Sequence, residues 1–396
     1  MSFRKLSILL SWNWVSMLHF DVSSAAAFAA SSSAADLPAS YKALVGEVTG
    51  KSFSDVALVK SLPLDTINIG DDEVLIKVVY AGVNGGCETF RSRGDYAFSA
   101  NKGIIEEEDE RKKYYRLGAE GVGVVKAVGK AVKELKEGQA VGFVGSAFSE
   151  YTKSKAMMVW PIPEALPEYV GLVISALTSC AMLEKTGKIR KGETILITAA
   201  AGAAGHFGVQ FAKLAGCTVI GTCGSDEKET ALKNLGCDHV INYKKQNVET
   251  ELKRLAPDGV DVVYEGVGGK MMQIALGAMK PKPSSRLLQV GYISEYPHNP
   301  DAEAESSKNE VDCADLFWNK KTITREDGST IYGNAWPKDM SAIPECKMRI
   351  LRLFADGKLK SFVDKGSKNF HGLDSVSDAV EYMLTGKAIG KVVVKI

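Results

Sequence analysis

The fold of this chain is most readily inferred from one segment, Thr194-Ile-Leu-Ile-Thr-Ala-Ala-Ala-Gly-Ala-Ala-Gly-His-Phe-Gly208. A short apolar run enters a turn that contains glycine and continues into the pattern of an amphipathic helix. Such a turn lets the backbone approach a diphosphate, and the free N–H groups of the following helix attract the anion. The residues predicted to bind the diphosphate are Ala201, Gly202, Ala203, Ala204 and Gly205.

The two glycines of this turn have separate roles in this interpretation. Gly202 removes a Cβ from the path of the diphosphate, and Gly205 allows the helix to pack closely on the strand. A tight strand-to-helix turn without a ligand would explain the same glycines. The run Cys217-Thr-Val-Ile-Gly-Thr-Cys223 follows at the distance that a βαβ unit requires, and this spacing favours a dinucleotide-binding fold.

The end of the second strand indicates which dinucleotide binds. A protein that binds NADH needs a carboxylate there for the ribose 2′-hydroxyl, and residues 222–225 offer none. Asp226 lies just beyond them and is the alternative. Ser225, Lys228 and Tyr243 provide hydroxyl groups and a cation for a 2′-phosphate, so the sequence predicts NADPH as the cofactor. Lys228 alone would fit a solvated lysine in the first turn of a helix.

The composition is that of a globular chain without a strong charge bias. Its 396 residues are 45% hydrophobic and 24% charged, and the formal net charge is +1. This length allows two domains, and the charge balance gives no electrostatic reason to bind nucleic acid or an acidic membrane. The seven cysteines contain no C-x-x-C pair, so they predict neither a disulfide framework nor a structural zinc site. We expect a small molecule as the binding partner.

The segment before Tyr41 differs in composition from the rest. Arg4 and Lys5 precede an apolar run over residues 6–20, and a segment rich in serine and alanine continues to Ala35. This order is typical of a cleavable targeting leader, and the run is too short for a stable membrane span. Its alanine-rich junction also resembles the bipartite leaders of algal preproteins with secondary plastids. A leader predicts an organelle, whereas an unstructured extension or a misassigned start leaves the cytoplasm as the alternative.

Two patterns divide the remaining chain. Residues 41–165 contain short β-prone runs separated by glycine and polar turns, which predicts a small barrel-like domain. Residues 166–310 alternate apolar strands with helices and predict a doubly wound parallel sheet of the Rossmann type. Residues 311–396 are predicted to return to the first domain, with a helix over residues 374–384 and a closing strand over 390–396. The expected fold class is therefore α/β.

Two charged segments interrupt this scheme, at residues 105–113 and 300–310. Their composition predicts solvated loops, and a lid over a substrate cleft is the alternative role. The sequence does not decide between these two roles.

Five motifs resemble the medium-chain dehydrogenase/reductase superfamily over nearly all of residues 41–396. They are Ala81-Gly-Val-Asn84, Gly118-Ala-Glu-Gly-Val-Gly123, Gly138-Gln-Ala-Val-Gly142, the turn over 199–205 and the closing Gly390-Lys-Val-Val-Val394. Within the superfamily, residues 221–228, 235–244 and 261–269 are similar to the quinone oxidoreductases and the prostaglandin reductases. The resemblance implies a GroES-like β-barrel catalytic domain beside a Rossmann domain, and it implies a homodimer.

The resemblance also implies positions for the cofactor. In the related reductases, a lysine and a tyrosine at the spacing of Lys228 and Tyr243 bind the 2′-phosphate, which agrees with the interpretation of the strand end. Gly266 and Gly291 fall in similar segments at the ends of later strands, and Asn334 resembles a late cofactor contact. These positions complete the predicted NADPH site.

Two departures from the superfamily pattern concern a metal. Zinc-dependent members have a cysteine after the Gly-Val pair and a histidine before the Glu-Gly pair, and this chain has Asn84 and Ala119 at those positions. A closely spaced cysteine quartet for structural zinc is also missing from the sequence. Cys87 and Glu88 lie nearby, but no histidine accompanies them. The expectation is therefore an enzyme without zinc.

The expected reaction follows from the missing Lewis acid. Hydride addition must then create a charge that the substrate itself delocalises, as conjugated enones and quinones do. The resemblance implies NADPH-dependent reduction of the C=C bond of α,β-unsaturated carbonyls, such as alkenals or 15-keto prostaglandin-like enones. Tyr296 is the predicted hydroxyl donor to the carbonyl, with Tyr292 as the competitor, and Asn84 is predicted to orient the carbonyl or the ribose. Quinone reduction and NADPH binding without turnover are the alternatives.

Overall fold

The structure is a computed structural model that describes residues 37–47, 50, 52–91, 104–106, 113–296, 311–337, 340–366 and 369–396. The predicted leader, up to residue 36, and the charged segment at 300–310 lie outside the described residues. Among the described helices, none is both long and apolar enough to span a bilayer. The described residues form an antiparallel barrel-like region and a parallel sheet flanked by helices.

The barrel-like region comes first in the chain. Its elements are β1 (Ser40–Gly46), β2 (Ala57–Pro63), β3 (Glu73–Gly82), α1 (Gly85–Arg91), β4 (Ile104–Glu106), β5 (Lys113–Arg116), β6 (Glu120–Val128), β7 (Ala140–Val144), β8 (Tyr151–Lys155) and β9 (Val159–Pro161). The central strand β3 pairs antiparallel with β6 and with β8. β4 pairs antiparallel with β5. Residues 105–106 and residue 113 therefore belong to strands, whereas the sequence predicted a loop over all of 105–113.

The parallel sheet follows in the chain. Its first elements are α2 (Leu177–Cys180), β10 (Thr194–Ile197), α3 (Gly205–Leu214), β11 (Thr218–Cys223), α4 (Asp226–Asn234), β12 (His239–Asn242), α5 (Val248–Leu255), β13 (Val262–Glu265), α6 (Gly269–Gly277) and β14 (Arg286–Gln289). The strand order β12-β11-β10-β13-β14 reverses direction between β10 and β13. In a doubly wound sheet this reversal leaves a crevice at the carboxyl ends of the strands, where ligands bind. The predicted Rossmann sheet is confirmed.

Burial on both faces explains why the central strands are so apolar. Ile195, Leu196 and Ile197 of β10 are all fully buried. Successive side chains of a strand point to opposite faces. Accordingly, Ile195 and Ile197 join the apolar cluster that contains Phe207 and Phe211, whereas Leu196 joins the cluster on the opposite face. A parallel sheet covered by helices on both faces requires this composition.

The last part of the chain contributes strands to both the parallel sheet and the barrel-like region. Its elements are α7 (Cys313–Trp318), β15 (Thr322–Thr324), β16 (Thr330–Tyr332), α8 (Ile343–Ala355), β17 (Val363–Asp364), α9 (Val376–Leu384) and β18 (Lys391–Lys395). β16 pairs in parallel with β14, so the parallel sheet extends beyond residue 310. β18 pairs antiparallel with β3, and β17 pairs with β18. The return to the barrel-like region therefore begins near residue 363, later than the predicted boundary at 311.

Candidate active site

A cleft of about 1070 Å³ lies at the carboxyl ends of the parallel strands and reaches the barrel-like region. Of the predicted site residues, those that line it are Asn84, Ala201, Gly202, Ala203, Ala204, Gly205, Lys228, Tyr243, Gly266, Gly291, Tyr296 and Asn334. Ser225 is the exception, because its Oγ accepts a hydrogen bond from the Lys228 N–H at 3.3 Å and caps α4. The structure thus brings the other predicted residues together in one cavity.

The turn between β10 and α3 is built by close backbone packing. A Cβ at Gly205 would lie 2.4 Å from the Ala199 carbonyl oxygen, so only glycine permits this approach of helix to strand. A Cβ at Gly202 would meet only the Ala199 oxygen, at 3.2 Å, and its other side is open to the cleft. Ala199 itself has a φ of 45°, a left-handed conformation that disfavours residues with a side chain. The turn therefore presents its backbone to a ligand at some conformational cost.

A buried histidine attaches this turn to the segment that returns to the barrel-like region. His206 Nδ1 lies 2.9 Å from the Gly202 carbonyl oxygen, and its Nε2 accepts a hydrogen bond from the Phe362 N–H at 3.2 Å. These two contacts require a neutral ring with the proton on Nδ1. Burial lowers the pKa of His206 to about 4, which keeps the ring neutral. The Gly390 N–H also donates to the Ala201 carbonyl oxygen, at 2.8 Å.

The ribose end of the cleft carries a cation and a phenol. Lys228 is half-buried and donates to the Gly386 carbonyl oxygen. Burial lowers the pKa of the Lys228 amine and raises that of the Tyr243 phenol. A Cβ at Gly224 would lie 2.4 Å from the Tyr243 hydroxyl oxygen, so the ring of Tyr243 covers that glycine.

Asp226 is directed to another set of partners. Its carboxylate accepts a hydrogen bond from the Asn242 side chain at 3.2 Å and pairs with Lys245 at 2.6 Å. It is not among the residues that line the cleft. Lys228 and Tyr243 therefore line the part of the cleft that would receive the ribose 2′ position. The Asp226 carboxylate, which would favour NADH there, is paired with Lys245 instead.

Two buried polar atoms on the cleft wall show that the cavity suits a polar ligand. Thr222 Oγ1, at the end of β11, and Asn334 Oδ1 have no hydrogen-bond partner among the described residues. A buried polar atom without a partner costs free energy, so such atoms mark places where a ligand completes the hydrogen bonding. Together with the open backbone at Gly202, they fit a dinucleotide that extends from β11 to Asn334.

The opposite end of the cleft contains the candidate hydroxyl donor. A Cβ at Gly291 would lie 2.9 Å from the Tyr296 hydroxyl oxygen, and one at Gly86 would lie 3.2 Å from it. This hydroxyl therefore sits between the barrel-like region and the parallel sheet. Burial raises the pKa of Tyr296 and keeps the phenol protonated. Tyr292, the competitor, does not line the cleft, and its hydroxyl accepts a hydrogen bond from Trp318 Nε1 at 2.6 Å.

Asn84 belongs to a buried ionic network that the sequence did not reveal. Its Nδ2 donates to Glu120 Oε1 at 2.9 Å, and its Oδ1 accepts from Lys391 Nζ at 2.8 Å. Lys391 also pairs with Glu120, and both residues are fully buried. Glu120 Oε2 accepts the Ile174 N–H at 2.7 Å. The amide of Asn84 is thus held by protein groups while the residue still lines the cleft.

The two positions that differ from the zinc pattern offer no metal ligand. Ala119 and Asn84 both line the cleft, and the amide of Asn84 is engaged by the network of Glu120 and Lys391. Cys87 lines the cleft, whereas Glu88 is buried and does not. Within the described part of the chain, no group of three histidine, cysteine or acidic residues is close enough to hold a metal ion.

A second buried carboxylate shapes the loop after β13. Glu265 accepts hydrogen bonds from the Val267 N–H at 2.8 Å, the Gly268 N–H at 3.1 Å and Thr198 Oγ1 at 3.2 Å. Burial raises the pKa of Glu265 to about 7. Gly266 follows it directly, and a Cβ there would have open space around it. Glu265 therefore positions the backbone of the cleft wall without lining the cleft.

Comparison with known proteins identifies the family. The alcohol dehydrogenase GroES-like domain matches residues 70–164, and the zinc-binding dehydrogenase family matches residues 203–344. The chain is 37% identical to prostaglandin reductase-3 of Mus musculus over 333 residues, which cover 83% of this chain and 82% of the relative.

Two further relatives match over most of their lengths. A probable quinone oxidoreductase of Leishmania amazonensis is 35% identical, over 91% of this chain and 99% of that one. A 2-alkenal reductase (NADP(+)-dependent) of Nicotiana tabacum is 32% identical, over 70% of this chain and 76% of that one. The GroES-like region, the Rossmann sheet and these relatives agree with the resemblance seen in the sequence. The chain belongs to the medium-chain dehydrogenase/reductase superfamily.

Proposed function

We propose that this chain is an NADPH-dependent reductase of the C=C bond of α,β-unsaturated carbonyls. The observation that carries the proposal is a single cleft with Lys228 and Tyr243 at one end and the Tyr296 hydroxyl at the other. The tobacco relative is named as an NADP(+)-dependent reductase of 2-alkenals, and the mouse relative as a prostaglandin reductase. Both names support this reaction class.

The cofactor is assigned to the residues that fit it. The turn over 201–205 receives the diphosphate, since its backbone N–H groups and the start of α3 attract an anion. Lys228 and Tyr243 bind the 2′-phosphate, the lysine as a point charge and the tyrosine as a hydroxyl donor. Asn334 Oδ1 accepts a hydrogen bond from the nicotinamide end of the cofactor. NADPH, when bound, supplies a hydride to the β-carbon of the substrate.

The protein stabilises the charge that this transfer creates. As the β-carbon gains hydride, negative charge moves to the carbonyl oxygen of the conjugated system, and the enolate then takes a proton from water at its α-carbon to give the saturated carbonyl. The Tyr296 phenol, protonated because it is buried, donates a hydrogen bond to that oxygen. The network of Glu120 and Lys391 fixes Asn84, so that the cleft wall beside the substrate stays in one conformation.

A cofactor and substrate panel tests the proposal. Purified protein that begins at Leu37 is mixed with NADPH or NADH and an alkenal, an enone or a saturated aldehyde. We expect NADPH oxidation with the two conjugated substrates, much slower oxidation with NADH and the same rates with a chelator present. Oxidation of NADPH only with the saturated aldehyde, or a rate abolished by the chelator, contradicts the proposal.

Quinone reduction is the second candidate function. It is favoured by the relative from Leishmania amazonensis, which is named a probable quinone oxidoreductase and is covered over 99% of its length. Parallel assays with a quinone and an enone separate the two. A kcat/KM for the quinone that exceeds that for every conjugated enone supports the second function.

We also propose two properties that accompany the reductase. The chain forms a homodimer, as the family resemblance implies, and light scattering on the purified protein measures its mass. The segment before Tyr41 directs it to an organelle, because the composition of this segment is that of a targeting leader. A monomeric mass, or an unchanged location after removal of the segment, contradicts the respective proposal.

A further inference from the structure

The carboxylate of Glu265, at the end of β13, is surrounded by hydrogen-bond donors. Its side chain is fully buried. Besides the donors to Oε1 described above, the Gly268 N–H lies 3.1 Å from Oε2. The Thr198 hydroxyl accepts the Gly266 N–H at 2.9 Å, which leaves its proton for Glu265. Within the described part of the chain, no lysine, arginine or histidine nitrogen lies within 4.0 Å of this carboxylate.

These surroundings suit an ionised Glu265 better than a protonated one. A carboxylate only accepts hydrogen bonds, whereas a protonated carboxyl group carries a hydrogen that needs an acceptor. The surrounding groups, the N–H groups of Val267 and Gly268 and the Thr198 hydroxyl, all donate. Protonation of Glu265 therefore breaks or reverses at least one of these hydrogen bonds. Because burial raises the pKa of Glu265 to about 7, both forms occur near neutral pH.

The loop over 266–269 is joined to the turn after β14. Glu295, in this turn, accepts a hydrogen bond from the N–H of Gly269, the first residue of α6. The N–H and the hydroxyl of Ser294 donate to the Val267 carbonyl oxygen at 2.9 Å and 2.7 Å. The turn leads directly to the tyrosine that carries the candidate hydroxyl donor. The loop and the base of that tyrosine therefore form one hydrogen-bonded unit.

Acidic groups face Glu265 from the neighbouring elements of the described structure. They are the Glu295 carboxyl group, the Tyr296 phenol and the Cys313 thiol of α7. The residue after β10 contributes the Thr198 hydroxyl, and the start of α6 contributes backbone N–H groups. Burial is the main cause that raises the pKa of Tyr296, and the charge of Glu265 adds to it. Ionised Glu265 thus helps to keep the phenol protonated, as a hydrogen-bond donor must be.

Glu265 influences the cleft without lining it. Gly266, Val267 and Tyr296 line the cleft, whereas the carboxylate lies behind them. The Ile293 N–H donates to the Gly266 carbonyl oxygen at 3.3 Å and adds a further link between the loop and the turn. A displacement of the loop therefore moves the cleft wall and the hydroxyl donor together.

We propose that Glu265 is a positioning residue whose ionised carboxylate holds the loop over 266–269, and with it the Tyr296 hydroxyl, in the geometry for hydride transfer. This inference rests on the proposed reductase function, because it names the residue that sets the pH range of the same cleft. Protonation of Glu265 loosens the loop and places the hydroxyl less accurately. The activity therefore rises with pH where Glu265 loses its proton, and the effect falls on kcat more than on KM.

The pH dependence of kcat tests this inference. With an enone as substrate, we expect the wild-type kcat to rise by roughly tenfold between about pH 6 and pH 8.5, because the ionised fraction of Glu265 rises by that factor around a pKa of about 7. Glu265→Gln carries no charge, so its kcat should be low and nearly constant over this range. Glu265→Asp keeps a carboxylate and should restore the rise with pH.

Asp261→Asn is the matched control. Asp261 directly precedes β13 and is also buried, but it pairs with Lys280 at 2.9 Å and with Lys282 at 2.6 Å and does not line the cleft. This variant should lose stability and keep the rise of kcat with pH. A wild-type kcat that does not rise, or a rise that persists in Glu265→Gln, overturns the inference and leaves the proposed function standing. So does a rise that Asp261→Asn also removes.

A second variant covers the case in which Glu265→Gln does not fold. Thr198→Val removes one donor to the carboxylate and keeps the shape of the side chain. Fewer hydrogen bonds to the ionised form raise the pKa of Glu265, so the midpoint of the rise in kcat should move up by roughly one pH unit. An unchanged or lower midpoint overturns the inference.

A measurement without turnover separates this inference from the proposed function. The fluorescence of bound NADPH reports the surroundings of its nicotinamide. We expect it to change with pH in the wild type, with the same midpoint as kcat, and to stay constant in Glu265→Gln. Identical fluorescence in the two proteins at every pH overturns the inference. If no conjugated substrate is reduced but the change depends on Glu265, the proposed function fails and the positioning role stands.

Discussion

Replacement of Lys228 by methionine removes the cation at the ribose end of the cleft and keeps an apolar side chain of similar length. The side chain is half-buried, and among the described residues no carboxylate lies within 4.0 Å of its amine. A hydrogen bond from a charged group contributes about 1.5–3 kcal/mol. Because each 1.4 kcal/mol is about tenfold in affinity, Lys228→Met should raise the Kd for NADPH by roughly ten- to a hundredfold. The Kd for NADH should change little.

Titration with both cofactors measures this effect. Cofactor fluorescence gives the two Kd values for the wild type and for Lys228→Met at fixed ionic strength, because salt screens the phosphate contact. Lys253→Met is the matched control, since Lys253 pairs with Glu249 and does not line the cleft. It should leave both Kd values within about twofold, a change below about 0.5 kcal/mol. An equal loss of NADPH and NADH affinity in Lys228→Met would refute the assignment of Lys228 to the 2′-phosphate.

Three further predictions concern Tyr296, Ala199 and His206. Tyr296→Phe should lower kcat for enones by roughly ten- to a hundredfold with an unchanged NADPH Kd; a similar loss in Tyr292→Phe, outside the cleft, contradicts the hydroxyl assignment. Ala199→Gly should raise the free energy of unfolding in urea by about 0.5–1 kcal/mol, because the φ of 45° then carries no Cβ penalty; lower stability contradicts this. His206 has a pKa of about 4 in the folded state, whereas the ordinary value is 6.5. The neutral His206 ring therefore stabilises the folded state fully above pH 6.5, and this contribution to the free energy of unfolding falls by about 3 kcal/mol as the pH drops to 4. The difference in unfolding free energy between the wild type and His206→Gln should decrease over that range, and a constant difference contradicts this.

The parallel sheet was predictable because its signals are local. The apolar run of β10, the strand-to-helix turn after it and the apolar run of β11 all lie between Thr194 and Cys223. β15 and β16 were missed because each is only three residues long, and every residue of β15 is exposed. Only the pairing of β16 with β14, which lies much earlier in the chain, defines them as part of the sheet. Non-local pairing of this kind leaves no pattern in a short window of sequence.

The cleft residues that directly follow the ends of strands could be predicted from the sequence. Those that are brought together from distant segments of the chain could not. Asn84, Glu120 and Lys391 come from three separate parts of the chain, so no local sequence pattern could predict their hydrogen bonds and ion pair. Ser225 shows the reverse case, a local pattern with two physical explanations. A serine three residues before Lys228 fits both a phosphate contact and a helix N-cap, and in the structure it is the cap.

The position of the transferred hydride in the product distinguishes reduction of the C=C bond from reduction of the carbonyl. NADPH carrying deuterium on the transferred position of the nicotinamide C4 is incubated with the protein and an alkenal, and the product is analysed by NMR. We expect a saturated aldehyde with deuterium on the β-carbon, because the charge moves through the conjugated system to the oxygen beside Tyr296. Deuterium on the carbonyl carbon, in an allylic alcohol, would contradict it.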